Sequence, residues 1–202
     1  MLATPSDTPD LWAAPIGRLP LGTGPHGYRH GVIQAVSVTE RLVLESFRQD
    51  DAPALARLGT PEVVRYLGGV PWTVASAEES INLWRAIEER LGITTWAVRL
   101  RQSSELIGSC GFAGTNVAWL RFDVVIEIGW TLGQAWWGQG LATEAARAAL
   151  DRGLAAYPPE RFLAKCHPEN LASERVMVRV GMRRVGLVQG VWPAPTVVYR
   201  LV

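Results

Sequence analysis

Trp136-Trp137-Gly138-Gln139-Gly140-Leu141-Ala142-Thr143-Glu144-Ala145 is the stretch on which the reading of this chain turns. Two glycines separated by one residue open a run of good helix formers, and an apolar, strand-like stretch over residues 124–132 comes just before. Glycine lets a backbone approach a ligand closely and take positive φ, and the first turn of a helix leaves N–H groups unpaired at the positive end of the macrodipole. Strand, glycine turn and helix N-terminus in that order hold a phosphate or pyrophosphate. The bland alternative is a tight strand-to-helix turn whose glycines serve sterics alone. Two nucleotide loops are excluded by residue type. A dinucleotide fingerprint needs a third glycine where Thr143 stands, and a Walker A loop needs a Gly-Lys-Ser/Thr that is absent.

Strand alternation through residues 124–132 puts Glu127 and Gly129 on one face and Ile126, Ile128 and Trp130 on the other. A carboxylate inside such an apolar strand is costly unless it faces a cleft or has a partner. Glu127 is thus either a functional carboxylate in a cleft or a structural one paired with an arginine. Further from the loop, residues 42–47 alternate as a strand, and Asp50 or Asp51 caps a short helix reaching Leu58. Thr60 with Pro61 starts a second helix through Leu67, stopped by Gly68-Gly69. Ser76 and Glu79 have capping-box spacing for a third helix with Ile81, Trp84, Ile87 and Leu91 on one face and Gly92 at its stop. Residues 94–100 and 106–112 flank a polar connection and read as a hairpin. A helix over 141–155, a strand over 161–166, a helix over 172–180 and strands over 183–190 and 195–202 complete the pattern. Elements in this order predict an α+β fold around a mostly antiparallel mixed sheet flanked by helices.

Four segments, in order, resemble the GNAT acetyltransferase superfamily, and within it the RimJ/RimL-like ribosomal-protein N-acetyltransferase branch, over residues 39–202. Thr39-Glu40-Arg41-Leu42-Val43-Leu44 is similar to the family's first strand, and Glu127-Ile128-Gly129-Trp130-Thr131-Leu132 to its fourth. Trp137-Gly138-Gln139-Gly140-Leu141-Ala142-Thr143-Glu144-Ala145 resembles the acyl-CoA loop and helix, and His167-Pro168-Glu169-Asn170-Leu171-Ala172-Ser173 resembles the start of the branch's Asn-x-x-Ser helix. One position departs: the family's Arg/Gln-x-x-Gly-x-Gly/Ala pattern has Ala135 at its first place, with Gln134 one residue early. The resemblance implies a GNAT-like acyl-CoA N-acyltransferase fold that binds acetyl-CoA. It assigns the coenzyme to Ile128, Trp130, Trp137, Gly138, Gln139, Gly140, Leu141, Ala142, Asn170 and Ser173. Asn170 then bonds the pantetheine arm, and Ser173 lies near the thioester sulfur.

Composition bounds the answer independently. A chain of 202 residues suits one domain with a core needing neither disulfides nor metal. A net charge of +1 without a basic block lacks the footprint of a nucleic-acid binder. No apolar run reaches a membrane span, and no basic and apolar leader opens the chain, so no membrane partner and a cytoplasmic location are expected. Cys110 and Cys166 show no metal spacing and read as buried reduced thiols. Residues 1–36 carry five of 13 prolines and five of 20 glycines without helical or strand period. They are expected to form an irregular arm outside a domain of residues 37–202. The arm's Leu11, Trp12, Ile16 and Leu19 suit docking either on the domain or on a second subunit of a homodimer.

Acetyl transfer to an amine fixes the groups to look for. An alkylammonium, with a pKa of about 10, must lose a proton before it attacks a thioester. The developing oxyanion needs a donor, most simply a backbone N–H, and the leaving thiolate gains from a hydrogen bond. Glu127 is the first candidate for the base, directly or through water, with His167 the alternative. Ser173 is the candidate for the thiolate. Asn170 and Ser173 equally suit simple helix N-capping. The four tyrosines, Tyr28, Tyr66, Tyr157 and Tyr199, all lie outside the Asn-x-x-Ser helix, where many superfamily members place a tyrosine acid. Trp72 or Trp192, each beside a proline, is the aromatic candidate for the acceptor site. Two functions follow: an N-acetyltransferase for a protein N-terminus or a small amine, or a non-catalytic acyl-CoA-binding module on the same fold.

Overall fold

Alternating burial along Leu42–Glu45, with Leu42 and Leu44 fully inside and Val43 and Glu45 half-exposed, is the period-2 signature of a strand covered on one face. In the computed structural model, which describes residues 37–91, 94–115, 125–189 and 194–201, that strand is β2. Ser37–Val38 is β1, Thr95–Leu100 β3, Leu106–Thr115 β4, Val125–Leu132 β5, Phe162–Cys166 β6, Met182–Val188 β7 and Thr196–Leu201 β8. They form one sheet in the order β1-β2-β3-β4-β5-β6-β8-β7. Every neighbouring pair is antiparallel except β5 with β6. The mixed α+β architecture is the one the element pattern predicts.

Helices cover both faces. Ala52–Leu58 (α1), Pro61–Val64 (α2) and Val74–Leu91 (α3) lie between β2 and β3, and Leu141–Leu154 (α4) and Leu171–Arg179 (α5) flank β6. The larger core joins Leu42, Leu44, Trp96, Val98, Ile126 and Ile128 of the sheet to Leu141, Ala145, Ala149 and Met177 of α4 and α5. The smaller core joins Phe47, Ala97 and Leu106 to Leu55 of α1 and Ile81 of α3. α4 approaches the sheet closely enough that a Cβ on Gly153 would sit 2.7 Å from Phe112 and 2.8 Å from Phe162. That contact explains a glycine inside a helix, where it costs about 1 kcal/mol against alanine.

Several boundaries differ from the sequence expectation, each for a local reason. Asp51 does not cap α1 with its side chain. Its carboxylate takes Arg99 Nη2 at 2.6 Å and the Arg48 N–H at 2.8 Å, pinning the start of α1 to the sheet. α2 stops at Val64 rather than Leu67, giving way to a turn before Gly68 and Gly69, both at positive φ. The third helix starts earlier than the Ser76–Glu79 spacing suggests. Thr73 and Ser76 exchange the reciprocal bonds instead, Ser76 N–H to Thr73 Oγ1 at 3.1 Å and Thr73 N–H to Ser76 Oγ at 3.0 Å. Two-residue β1 is too short to register as a pattern. The N-terminal arm, Gly92, Trp119, Val124 and Trp192 lie outside the described residues. Among the described residues no helix is long and apolar enough to cross a membrane.

Candidate functional site

β5 pairs with β4 along its whole length, from Thr115↔Val125 to Gly108↔Leu132. Its pairing with β6 covers only Ile126↔Phe162 and Glu127↔Leu163. The two parallel strands therefore part, and the second half of β5 keeps one edge without a strand. Gly133 N–H donates to Ile107 O on the β4 side at 2.9 Å, so the Leu132 carbonyl of the same peptide plane points the other way. Alternation then turns the backbone N–H and C=O of Ile128 and Trp130 into the opening between β5 and β6.

The loop after β5 closes one end of that opening. Gln134–Trp136 make one 3-10 turn, and Trp137 Nε1 donates to Leu132 O at 2.7 Å. Gly138 and Gly140 take φ of 75° and 78°, the left-handed region that other residues enter at a cost. Nothing lies within 4 Å of a Cβ built at Gly138, and only Arg41 Nη2, at 3.6 Å, near one at Gly140. α4 starts at Leu141 with no side-chain cap, so its first N–H groups are left to a ligand or solvent. Exposed glycine backbone, a helix N-terminus and an open strand edge fit the pyrophosphate and amide-rich arm of coenzyme A. The departure at Ala135 is absorbed by backbone: its carbonyl accepts Gln139 Nε2 at 2.9 Å and holds the turn, while Gln134 is exposed.

The other sheet face carries the titratable groups. Ile126 and Ile128 are buried against α4 while Glu127 is half-buried on the opposite side, as alternation predicts. Its partner is Lys165 Nζ on β6, a lysine rather than the arginine considered from sequence. His167 follows on the same strand parity and stacks on Tyr66, rings 5.1 Å apart and 18° from parallel. Arg65 reaches Glu169 at 3.6 Å, so the turn after α2 is tied to the connection leading into α5. His167 is thus a packed residue, not a free loop histidine. Its Nδ1 accepts the Glu169 N–H at 3.2 Å.

Asn170 is the N-cap of α5. Its Oδ1 accepts the Ser173 N–H at 3.1 Å, which realises the capping alternative and leaves the amide NH₂ and the Ser173 hydroxyl for other partners. Cys166 Sγ contacts the Asn170 carbonyl at 3.8 Å. Burial, with Glu174 nearby, pushes that thiol up to about 11, and burial raises Cys110 further. Both cysteines are free and buried. Tyr199 O–H donates to Glu174 of α5 at 3.3 Å, and burial together with Glu174 raises its phenol above the usual value. Trp72 packs against Gly59 beside α1 and against the smaller core, and it stays partly exposed. Among the described residues no group of three or more His, Cys, Asp or Glu could hold a metal ion.

Sequence reasoning missed Lys165, Tyr66 and Tyr199 as neighbours of these groups. The only signal was parity: His167, just past β6, stands two residues after Lys165.

The sequence profile of the acetyltransferase (GNAT) domain matches residues 41–183. This chain belongs to the GNAT acetyltransferase family. It is 30% identical over 153 residues to a Bacillus licheniformis protein named uncharacterized N-acetyltransferase p20, covering 75% of this chain and 84% of that one. A GNAT-family acetyltransferase from Bacillus anthracis superposes with a TM-score of 0.68 at 26% identity, over 82% of this chain and 96% of the other. RimL, the ribosomal L7/L12 α-N-protein acetyltransferase, in complex with coenzyme A, shares the fold at a TM-score of 0.64 and 17% identity, over 84% of this chain and 98% of its own.

Proposed function

We propose that this protein moves an acetyl group from acetyl-CoA to a primary amine by direct transfer in a ternary complex. Its branch is RimJ/RimL-like, and it acts in the cytoplasm. The observation that carries this reading is the parting of β5 from β6 beside the two left-handed glycines. It leaves the Ile128 and Trp130 backbone, the loop Trp137, Gly138, Gln139 and Gly140, and the first residues of α4, Leu141 and Ala142, around one opening. Acetyl-CoA supplies the thioester carbonyl there. The unpaired β5 edge offers backbone donors, and the α4 N-terminus holds the phosphates. The free amide of Asn170 bonds the pantetheine arm, and the Ser173 hydroxyl steadies the departing thiolate.

The amine arrives from the α1–α3 face, where Glu127 stands. Glu127 takes the ammonium proton directly or through one water, and Lys165 holds the carboxylate in place. His167, stacked on Tyr66, is the other base within the same rim. The acceptor is a protein N-terminus or a small-molecule amine. Residues 37–202 make the catalytic domain, and residues 1–36 are an arm outside it.

The test is acetyl-CoA with a panel of amines and N-terminal peptides, read by intact mass of the acceptor. The reading predicts a mass gain of one acetyl group with stoichiometric thiol release. Tight acetyl-CoA binding without turnover on any amine favours a non-catalytic acyl-CoA-binding module instead.

A further inference from the structure

We infer that Arg41, in the turn between β1 and β2, is a positioning residue for the pyrophosphate loop; the inference rests on the acetyl-CoA reading above. Arg41 Nη1 donates to the Gln139 carbonyl at 2.9 Å, in the peptide plane that joins Gln139 to the left-handed Gly140. In a trans peptide the carbonyl and the following N–H point in opposite directions. Holding Gln139 C=O toward Arg41 therefore aims the Gly140 N–H away from that turn and toward the open side of the loop. A flipped plane would present a carbonyl oxygen to a phosphate. Such a flip changes ψ of Gln139 and φ of Gly140, and a glycine on that second side makes it sterically cheap, so an external bond is what selects one orientation.

The arginine is itself fixed from several directions. Its Nε and Nη2 both meet Glu144 Oε2 at 2.7 Å, and its backbone N–H donates to Glu144 Oε1 at 2.9 Å. Thr39 Oγ1 donates to the same Oε1 at 2.6 Å. Burial pushes the Glu144 carboxyl up, but the bonds from Thr39 and Arg41 and the arginine charge outweigh it and hold it below the usual carboxylate range. Glu144 sits in the first turn of α4, where an unpaired carboxylate would repel a bound phosphate. Arg41 removes that repulsion while its third nitrogen holds the Gln139 plane. Lysine has no fork with which to do both.

Calorimetry on the full chain tests this, with acetyl-CoA and with 3′-dephospho-coenzyme A as probes. Arg41→Met should weaken both ligands by at least about tenfold, the loss of roughly one charge-assisted hydrogen bond. The acetyl-CoA KM should rise by the same factor, with kcat at saturation falling less. Arg41→Lys should stay well below wild type, and it decides the matter if Arg41→Met does not fold. Arg41→Met combined with Glu144→Gln should also remain weak, because the plane is still unheld. Wild-type affinity with a lowered melting temperature would make Arg41 merely structural and overturn the inference. So would full recovery in the double variant, or a loss confined to acetyl-CoA and absent with the dephospho ligand, which would assign Arg41 to the ribose phosphate. A wild-type protein that binds neither ligand would instead overturn the acetyl-CoA reading itself.

Discussion

The two sides of the opening between β5 and β6 are built from different materials. On the side proposed for the acetyl donor, the groups that would face it are backbone: the N–H and C=O of Ile128 and Trp130, Gly138 and Gly140 at positive φ, and the uncapped first turn of α4. On the side proposed for the acceptor they are side chains from separate elements: Glu127 of β5, Lys165 of β6, His167 just after it and Tyr66 after α2. A phosphate cradle made of backbone depends on φ, ψ and a few bonds that hold peptide planes. A proton-transfer site depends on the identity and charge of single groups. Substitutions on the two sides should therefore fail in different ways, one in binding and the other in turnover.

The largest effect is expected at Glu127. Glu127→Gln preserves shape and an acceptor for Lys165, and kcat should fall by about 10²–10⁴ with acetyl-CoA affinity retained. Raising the pH should restore part of that loss, since more amine then arrives deprotonated. A fully folded variant with wild-type turnover would remove Glu127 from the mechanism and shift attention to His167. If instead the melting temperature drops and activity falls only with folded protein, the Glu127–Lys165 pair is structural.

Asn170, the N-cap of α5, sharpens the comparison through a smaller effect. Asn170→Asp keeps the oxygen that caps Ser173 N–H but loses the amide donor. Acetyl-CoA affinity should fall about fivefold, one neutral hydrogen bond, with the melting temperature unchanged. Asn170→Ala should lose the cap as well, at about 1 kcal/mol of stability. Unchanged affinity in Asn170→Asp would reduce this residue to a helix cap. The smallest effect is expected from truncation: a chain starting near Val36 should remain folded and keep acetyl-CoA binding. Aggregation or a changed oligomeric state would show that residues 1–36 cover apolar surface.

The two sides also differed in how far they could be read from sequence, for the same physical reason. The donor loop is contiguous, and Gly-x-Gly between an apolar strand and helix formers carries its geometry locally; Gly138 and Gly140 are left-handed as that pattern requires. Period-2 alternation likewise placed Glu127 opposite Ile126 and Ile128. What Glu127 meets was not legible, because Lys165 becomes its neighbour through a parallel register between strands 38 residues apart. Nor was the Tyr66–His167 stack, which joins a turn to a strand end through tertiary packing alone. Arg41 was quoted as part of a strand motif, and its bond to Gln139 spans 98 residues. Local capping failed more modestly: Thr73 rather than Ser76 caps α3, and Ser76 takes the reciprocal place expected of Glu79.

The central claim, that glycine backbone beside the parted strands holds acetyl-CoA, is tested most directly by calorimetry of acetyl-CoA on wild type, Gly140→Val and Glu127→Gln. A Cβ at Gly140 meets only Arg41 Nη2, at 3.6 Å, so packing tolerates the added atoms while the left-handed φ and the ligand approach do not. The account predicts affinity at least about tenfold weaker for folded Gly140→Val, roughly 1.4 kcal/mol, and unchanged for Glu127→Gln. Equal affinity of wild type and folded Gly140→Val would contradict it.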